Sequence, residues 1–182
     1  MTFRGVRVAA ALIAYAASAH TQQATSLIGT WKLVSASAIS AEGEAIERPF
    51  GDSPSGELTY TREGTVSVLI SHGGRRLLSA DRMAAPMPEK ADAFSTFFAY
   101  AGRYSVRHHQ VVHHVEISSV QNWVGTDLIR TLKVAGDELT LTTPLMTIGG
   151  VAQTTVLKWK RALYPALKRS PFRVGSTHPT HR

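Results

Sequence analysis

Gly29-Thr30-Trp31-Lys32-Leu33-Val34-Ser35 opens the first extended stretch of this chain, and Trp159-Lys160-Arg161 closes the last. A tryptophan early in the first strand and an arginine late in the final one suit a small closed β-barrel. There the guanidinium can stack on the indole face and plug one end. A barrel plugged at one end and open at the other is a cup. The pair therefore points to an architecture before it points to any chemistry.

The residues between these two stretches alternate as strands and turns. The pattern predicts strands at 28–39, 57–61, 65–71, 102–107, 111–118, 126–134, 138–143 and 154–161. Arg62-Glu63-Gly64 reads as a three-residue hairpin with glycine in the left-handed position, and Ala135-Gly136-Asp137 as a second tight turn. Residues 72–88 form a polar loop carrying Gly73-Gly74, Pro86 and Pro88. One helix is expected after it, because Pro88 suits a first helical turn and Phe94, Phe97, Phe98 and Ala101 recur at i, i+3, i+4 and i+7. Such a helix would pack on the barrel or over its mouth. Eight strands without a βαβ rhythm predict an all-β fold, an up-and-down eight-stranded antiparallel barrel wide enough for one small ligand.

The two ends read differently from the body. Arg4 and Arg7, the apolar run from Val8 to Ala17, and Ala17-Ser18-Ala19 form the pattern of a secretory signal peptide over residues 1–19. The run is too short for a membrane-spanning helix. The expectation is therefore an exported protein, periplasmic or secreted, with no stable membrane anchor after cleavage. Residues 166–182 hold Lys168, Arg169, Arg173 and Arg182 among prolines, and read as a basic, disordered tail. Without these six basic residues the formal charge of +7 falls to fourteen basic against thirteen acidic groups. The body between them, a domain expected over 27–165, thus lacks the basic patches that nucleic acid would require. There are no cysteines, so no disulfide supports the fold.

Strand alternation proposes an interior. Anchored on Trp31, it turns Gly29, Leu33 and Ser35 inward. It also turns in Leu58 and Tyr60, Val66 to Ile70 at every second residue, and Gly102, Tyr104 and Val106. Val111, His113, Val115 and Ile117 follow, then Leu128, Arg130 and Leu132. Besides Ser35, four of these are polar: Tyr60, Tyr104, His113 and Arg130. A guanidinium between Leu128 and Leu132 needs a partner, since a buried unpaired charge is costly. No acid falls on the inward set. Either an anionic ligand group meets Arg130 and the tyrosine hydroxyls, or Arg130 lies near a barrel end and reaches water or a loop carboxylate such as Asp52. His113 is the one candidate for proton transfer, and a core histidine bonded to hydroxyls is the alternative. The doublets His108-His109 and His113-His114 do not predict a metal site, because neighbours on a strand face opposite ways. No cofactor motif and no Gly-x-Ser-x-Gly elbow occurs.

The ordered series Gly29-Thr30-Trp31, Pro49-Phe50-Gly51, Pro54-Ser55-Gly56-Glu57-Leu58-Thr59-Tyr60, Tyr100-Ala101-Gly102-Arg103-Tyr104, His113-His114-Val115-Glu116, Asn122-Trp123-Val124-Gly125, Arg130 and Trp159-Lys160-Arg161 resembles the lipocalin-like domain family of bacteria and fungi. Gln121 stands where that resemblance leads one to expect a proline. The resemblance implies a calycin-type eight-stranded barrel with an internal cavity, and marks Tyr104, His113, Glu116 and Arg130 as a possible site. It also implies binding more than catalysis, with isomerase or cyclase roles among relatives in secondary metabolism.

The expected protein is thus an exported barrel for a small hydrophobic or amphiphilic ligand with an acidic or polar head. Arg130, Tyr60, Tyr104 and His113 would bind it, and Trp31 and Arg161 would close the floor. The alternatives are a cofactor-free isomerase or cyclase using His113 and Tyr104 in the same cavity, or a structural barrel filled by Trp123, Trp159 and the three Phe rings.

Overall fold

The computed structural model describes residues 25–164, so the expected leader (1–19) and basic tail (166–182) lie outside the described residues. Ten strands follow in order: β1 (Gly29–Ser40), β2 (Ala45–Ile46), β3 (Ser55–Tyr60), β4 (Thr65–Ser71), β5 (Phe97–Arg107), β6 (Gln110–Ser118), β7 (Asp127–Ala135), β8 (Glu138–Thr142), β9 (Met146–Ile148) and β10 (Val151–Arg161). Eight of them close an antiparallel barrel in the order β1, β3, β4, β5, β6, β7, β8, β10, with β10 pairing back onto β1. The two-residue β2 and the three-residue β9 lie beside β1 and β10 as flaps. Gly64 and Gly136 take positive φ of 83° and 59°, as the two predicted hairpins require.

The seam between β1 and β10 holds the floor. Arg161 stacks over Trp31 with its Cζ 4.1 Å from the ring centroid. Its Nη1 donates to the Ile28 carbonyl at 2.9 Å and its Nη2 to that of Ser26 at 2.8 Å. Trp31, fully buried, donates its indole N–H to the Leu27 carbonyl at 2.8 Å. Gly29, at φ 131°, leaves room for the guanidinium: a Cβ there would stand 2.8 Å from Arg161 Nη1.

Two bulges and one misplaced helix separate this fold from the alternation predicted by sequence. A register shift between Leu33 and Ser35 turns Ser35 outward, and Ala36 and Ala38 take the inner positions. A second shift, between Ala101 and Gly102, leaves Ile117 67% exposed although Val115 is buried. At that second bulge the backbone of β6 crowds Gly102, where an added Cβ would lie 2.0 Å from the His114 carbonyl oxygen. The helix α1 is only Met87–Ser95 and buries none of its residues. Phe97 and Phe98 begin β5 instead, so the i, i+3, i+4 spacing from Phe94 straddles a helix end and a strand start. Phe98 pairs with Ile70 of β4, and ladder pairing there outweighs a helix that has no buried face.

Candidate functional site

The barrel encloses an apolar cavity of about 430 Å³. Leu58, Val68, Ile70, Leu141 and Leu157 form much of its wall, and the exposed Phe94 stands at its edge. Trp123, Trp159, Phe97 and Phe98 line the space without filling it, which removes the filled-barrel alternative. Phe98 and Tyr100 both meet Trp123 edge-on, at centroid separations of 5.6 and 5.8 Å.

Among the residues lining the cavity, only His72 and Tyr100 can titrate, Arg130 carries a fixed charge, and none is a carboxylate. Arg130, on β7, is 7% exposed. Its Nη1 donates to the carbonyl of Ile129 at 2.8 Å, and no ion pair reaches it among the described residues. Asp52, the loop carboxylate considered from sequence, pairs with Arg48 instead. Two further polar atoms of the lining, Thr155 Oγ1 and Trp159 Nε1, are buried without a hydrogen-bond partner among the described residues. Thr155→Val removes one of them at nearly constant volume. It is expected to raise stability by about 1 kcal/mol, read as a higher urea midpoint at unchanged slope.

Behind the cavity wall lies a chain of three aromatic side chains. His113 is 1% exposed and accepts or donates at both nitrogens: Nε2 is 2.7 Å from Tyr60 Oη and Nδ1 is 2.8 Å from Tyr100 Oη. Burial first, then the Arg130 charge, pushes the His113 pKa down to about 3, so the ring is neutral at ordinary pH. Burial raises the Tyr100 hydroxyl to about 12 against the opposing pull of Arg130, and raises Tyr60 too. Neutral imidazole has one donor and one acceptor nitrogen. Tyr60 has no other hydrogen-bond partner among the described residues and does not line the cavity, so its buried hydrogen goes to His113 Nε2. The His113 proton then sits on Nδ1 and is donated to Tyr100 Oη. That leaves the Tyr100 O–H to point at the cavity, beside Arg130.

The residues singled out from sequence divide into three groups. Arg130 lines the cavity. Tyr60 and His113 stand one layer behind it, and supply the chain that orients Tyr100. Tyr104 does not reach it: its ring packs edge-on against Tyr60 at 4.8 Å, and its hydroxyl donates to the Thr61 carbonyl at 3.0 Å. Glu116 is on the outer face, next to the buried Val115 as alternation requires, and 3.2 Å from Arg103. Sequence reading missed Tyr100 as a site residue. The signal was available, since Tyr100 shares parity with Gly102 and Tyr104, but the helix assigned through Phe97 and Phe98 hid it.

His114 faces the opposite way from His113. Its Nε2 is 3.0 Å from Ser105 Oγ and its Nδ1 is 2.6 Å from Asp127 Oδ1. This has the connectivity of a serine–histidine–acid relay across β5, β6 and β7. None of the three lines the cavity, and the His114 and Asp127 side chains are 42% and 59% exposed. Such a screened pair contributes at most about 1 kcal/mol, and acts here as a cross-strand contact.

The chain is similar to known proteins. It is 35% identical over 100 residues to the 4'-hydroxy-3'-methoxypropiophenone carrier protein ppsC of Aspergillus oryzae, an alignment covering 50% of this chain and 85% of that relative. The model of the lipocalin-like domain matches residues 28–162, from just before β1 to just after β10. That match spans the whole closed barrel, and the chain belongs to the lipocalin-like domain family.

Proposed function

We propose that this protein is an exported carrier that holds a small hydrophobic molecule inside the barrel, with the molecule's acidic or polar head against Arg130 and Tyr100. The observation that carries this reading is Arg130 itself, a buried guanidinium without a carboxylate partner beside an apolar cavity of about 430 Å³. A charge held there costs stability unless something compensates it, and a ligand head can do so while the walls take the apolar remainder. The Aspergillus oryzae relative is named as carrying an aryl ketone with a phenol group, which has this combination of features. The expected leader supports export.

A second reading, proton transfer within the same cavity, has one observation in its favour: His113 is inward and desolvated. Its ring does not line the cavity, however, and both nitrogens are engaged by tyrosines. A base with a pKa of about 3 is also too weak to take a proton near neutrality. The carrier reading comes first.

Calorimetric titration with 4'-hydroxypropiophenone tests it. Binding of one equivalent is expected. Arg130→Met, which keeps the volume and removes the charge, should weaken it about 10- to 100-fold, the range for a hydrogen bond to a charged group. Equal affinity of the two proteins would remove Arg130 from the site.

A further inference from the structure

The polar end of the cavity is made of donors. Arg130 supplies guanidinium N–H groups and cannot lose its charge in a protein. Tyr100 supplies its O–H, because the proton order along Tyr60, His113 and Tyr100 uses the hydroxyl's oxygen to accept from His113. Trp159 adds an indole N–H with no partner, on the same lining. No carboxylate lines the space. A head group that is itself a donor, such as an alcohol or an amine, would find no charged acceptor there, only neutral oxygens such as Thr155 Oγ1. An oxygen bearing full negative charge would satisfy two of these donors at once, and would neutralise Arg130.

From this we infer that the cavity selects its ligand as an oxyanion, the ionised form of a weakly acidic phenol or carboxylic acid, and holds it ionised at pH values where the free molecule is protonated. The inference rests on the carrier reading and adds to it the charge state of the cargo. Each side chain near the head acts in the same sense. Tyr60 from β3 and Tyr100 from β5 stay protonated, and Arg130 from β7 stays charged. His113 from β6, between the two tyrosines, stays neutral and keeps its single proton on the Tyr100 side. The remaining titratable lining group, His72, follows β4 and packs against Phe50 at 5.1 Å. None of these groups is a carboxylic acid able to protonate the bound anion. A chain of hydrogen bonds feeding into Tyr100 also strengthens the donation of its last proton.

The test uses two chromophoric probes of nearly equal size, 4-nitrophenol and its methyl ether 4-nitroanisole, with the full-length protein. Binding is read by calorimetry and ionisation by the visible absorbance of the phenolate. Bound 4-nitrophenol is expected to show the phenolate band about one pH unit or more below the midpoint of the free probe. That shift equals phenolate bound at least about tenfold more tightly than phenol. The ether, which cannot ionise, should bind at least about tenfold more weakly at neutral pH. Arg130→Met should abolish the spectral shift, and Tyr100→Phe should reduce it.

Equal binding of the two probes, with bound 4-nitrophenol keeping its free midpoint, would overturn the oxyanion inference and leave a carrier of apolar molecules. Failure of both probes to bind would overturn the inference and the carrier reading together. The wild-type probe pair decides the matter even if a variant fails to fold.

Discussion

Trp31→Ala is expected to lower folding stability by about 3–5 kcal/mol, out of the roughly 5–15 kcal/mol typical of a domain. Trp31 is fully buried, and its removal opens a void at the floor that the β1–β10 seam cannot collapse to fill. Two further losses follow. The Leu27 carbonyl loses its indole donor, and the Arg161 guanidinium loses the ring it covers. Trp31→Phe keeps an aromatic face under Arg161 but not the hydrogen bond, so it should recover about half of the loss. Urea unfolding followed by far-ultraviolet circular dichroism gives all three stabilities. An alanine variant within about 1 kcal/mol of wild type would show that the floor contributes little to the fold.

Acid should destabilise this protein well above the range where carboxylates titrate. The cause is His113, whose folded pKa lies at about 3 against 6.5 when unfolded. Between these values the unfolded chain binds a proton that the native state refuses. Stability therefore falls as pH drops below 6.5, and the loss is complete near 3. The full difference corresponds to roughly 4–5 kcal/mol. At neutral pH and above, His113 contributes no pH dependence. Four other groups act in the same direction, among them the exposed Glu63 and Glu89, held down mainly by hydrogen bonds from backbone N–H groups. His72 is held below its usual value by burial and by Arg75. Glu57 is held down by its bond to Lys32, and matters only below 4.5. Urea midpoints between pH 7 and 4.5 should slope steeply for wild type, and much less for His113→Gln, which offers the two tyrosines a donor and an acceptor without a titrating ring. Parallel slopes for the two proteins would mean that His113 is not desolvated in solution.

Much of the barrel could be read from the chain because its signals were local. The Thr65–Ser71 strand, the glycine hairpins at 64 and 136, and the Trp31 and Arg161 positions follow from alternation and turn chemistry. The inward position of Arg130 and His113 followed from the same alternation, counted from strands without bulges before them. The misses have a common physical source. A β-bulge adds one residue to one strand and leaves no mark in the alternation upstream of it, so Ser35 and Ile117 were turned the wrong way. The aromatic run before Gly102 met two periodicities at once. Its helical spacing was taken as decisive although the β4 edge was waiting for Phe97 and Phe98. That choice removed Tyr100 from the strand, and with it the one tyrosine that lines the cavity. The chain of hydrogen bonds behind Tyr100 could not be read from sequence, because Tyr60, Tyr100 and His113 come from three different strands.

The seam that stacks Arg161 on Trp31 also dictates an order of events during folding. Every other ladder of the closed barrel joins strands that are consecutive or separated by one short strand, whereas Arg161 and Ile28 are 133 positions apart. Closing so long a loop carries a large entropic cost, and contacts of that kind form late and slowly. Until they form, the molecule is an open curved sheet from β1 to β10 with those two strands as unpaired edges and its cavity wall facing water. That is the state from which edge-to-edge association starts. A cargo that bridges the wall between Tyr100 and Leu157 touches β5 and β10 together, on both sides of the unfinished seam. Cargo bound during folding would thus shorten the exposed interval, so that the yield of folded protein depends on the supply of the molecule it carries.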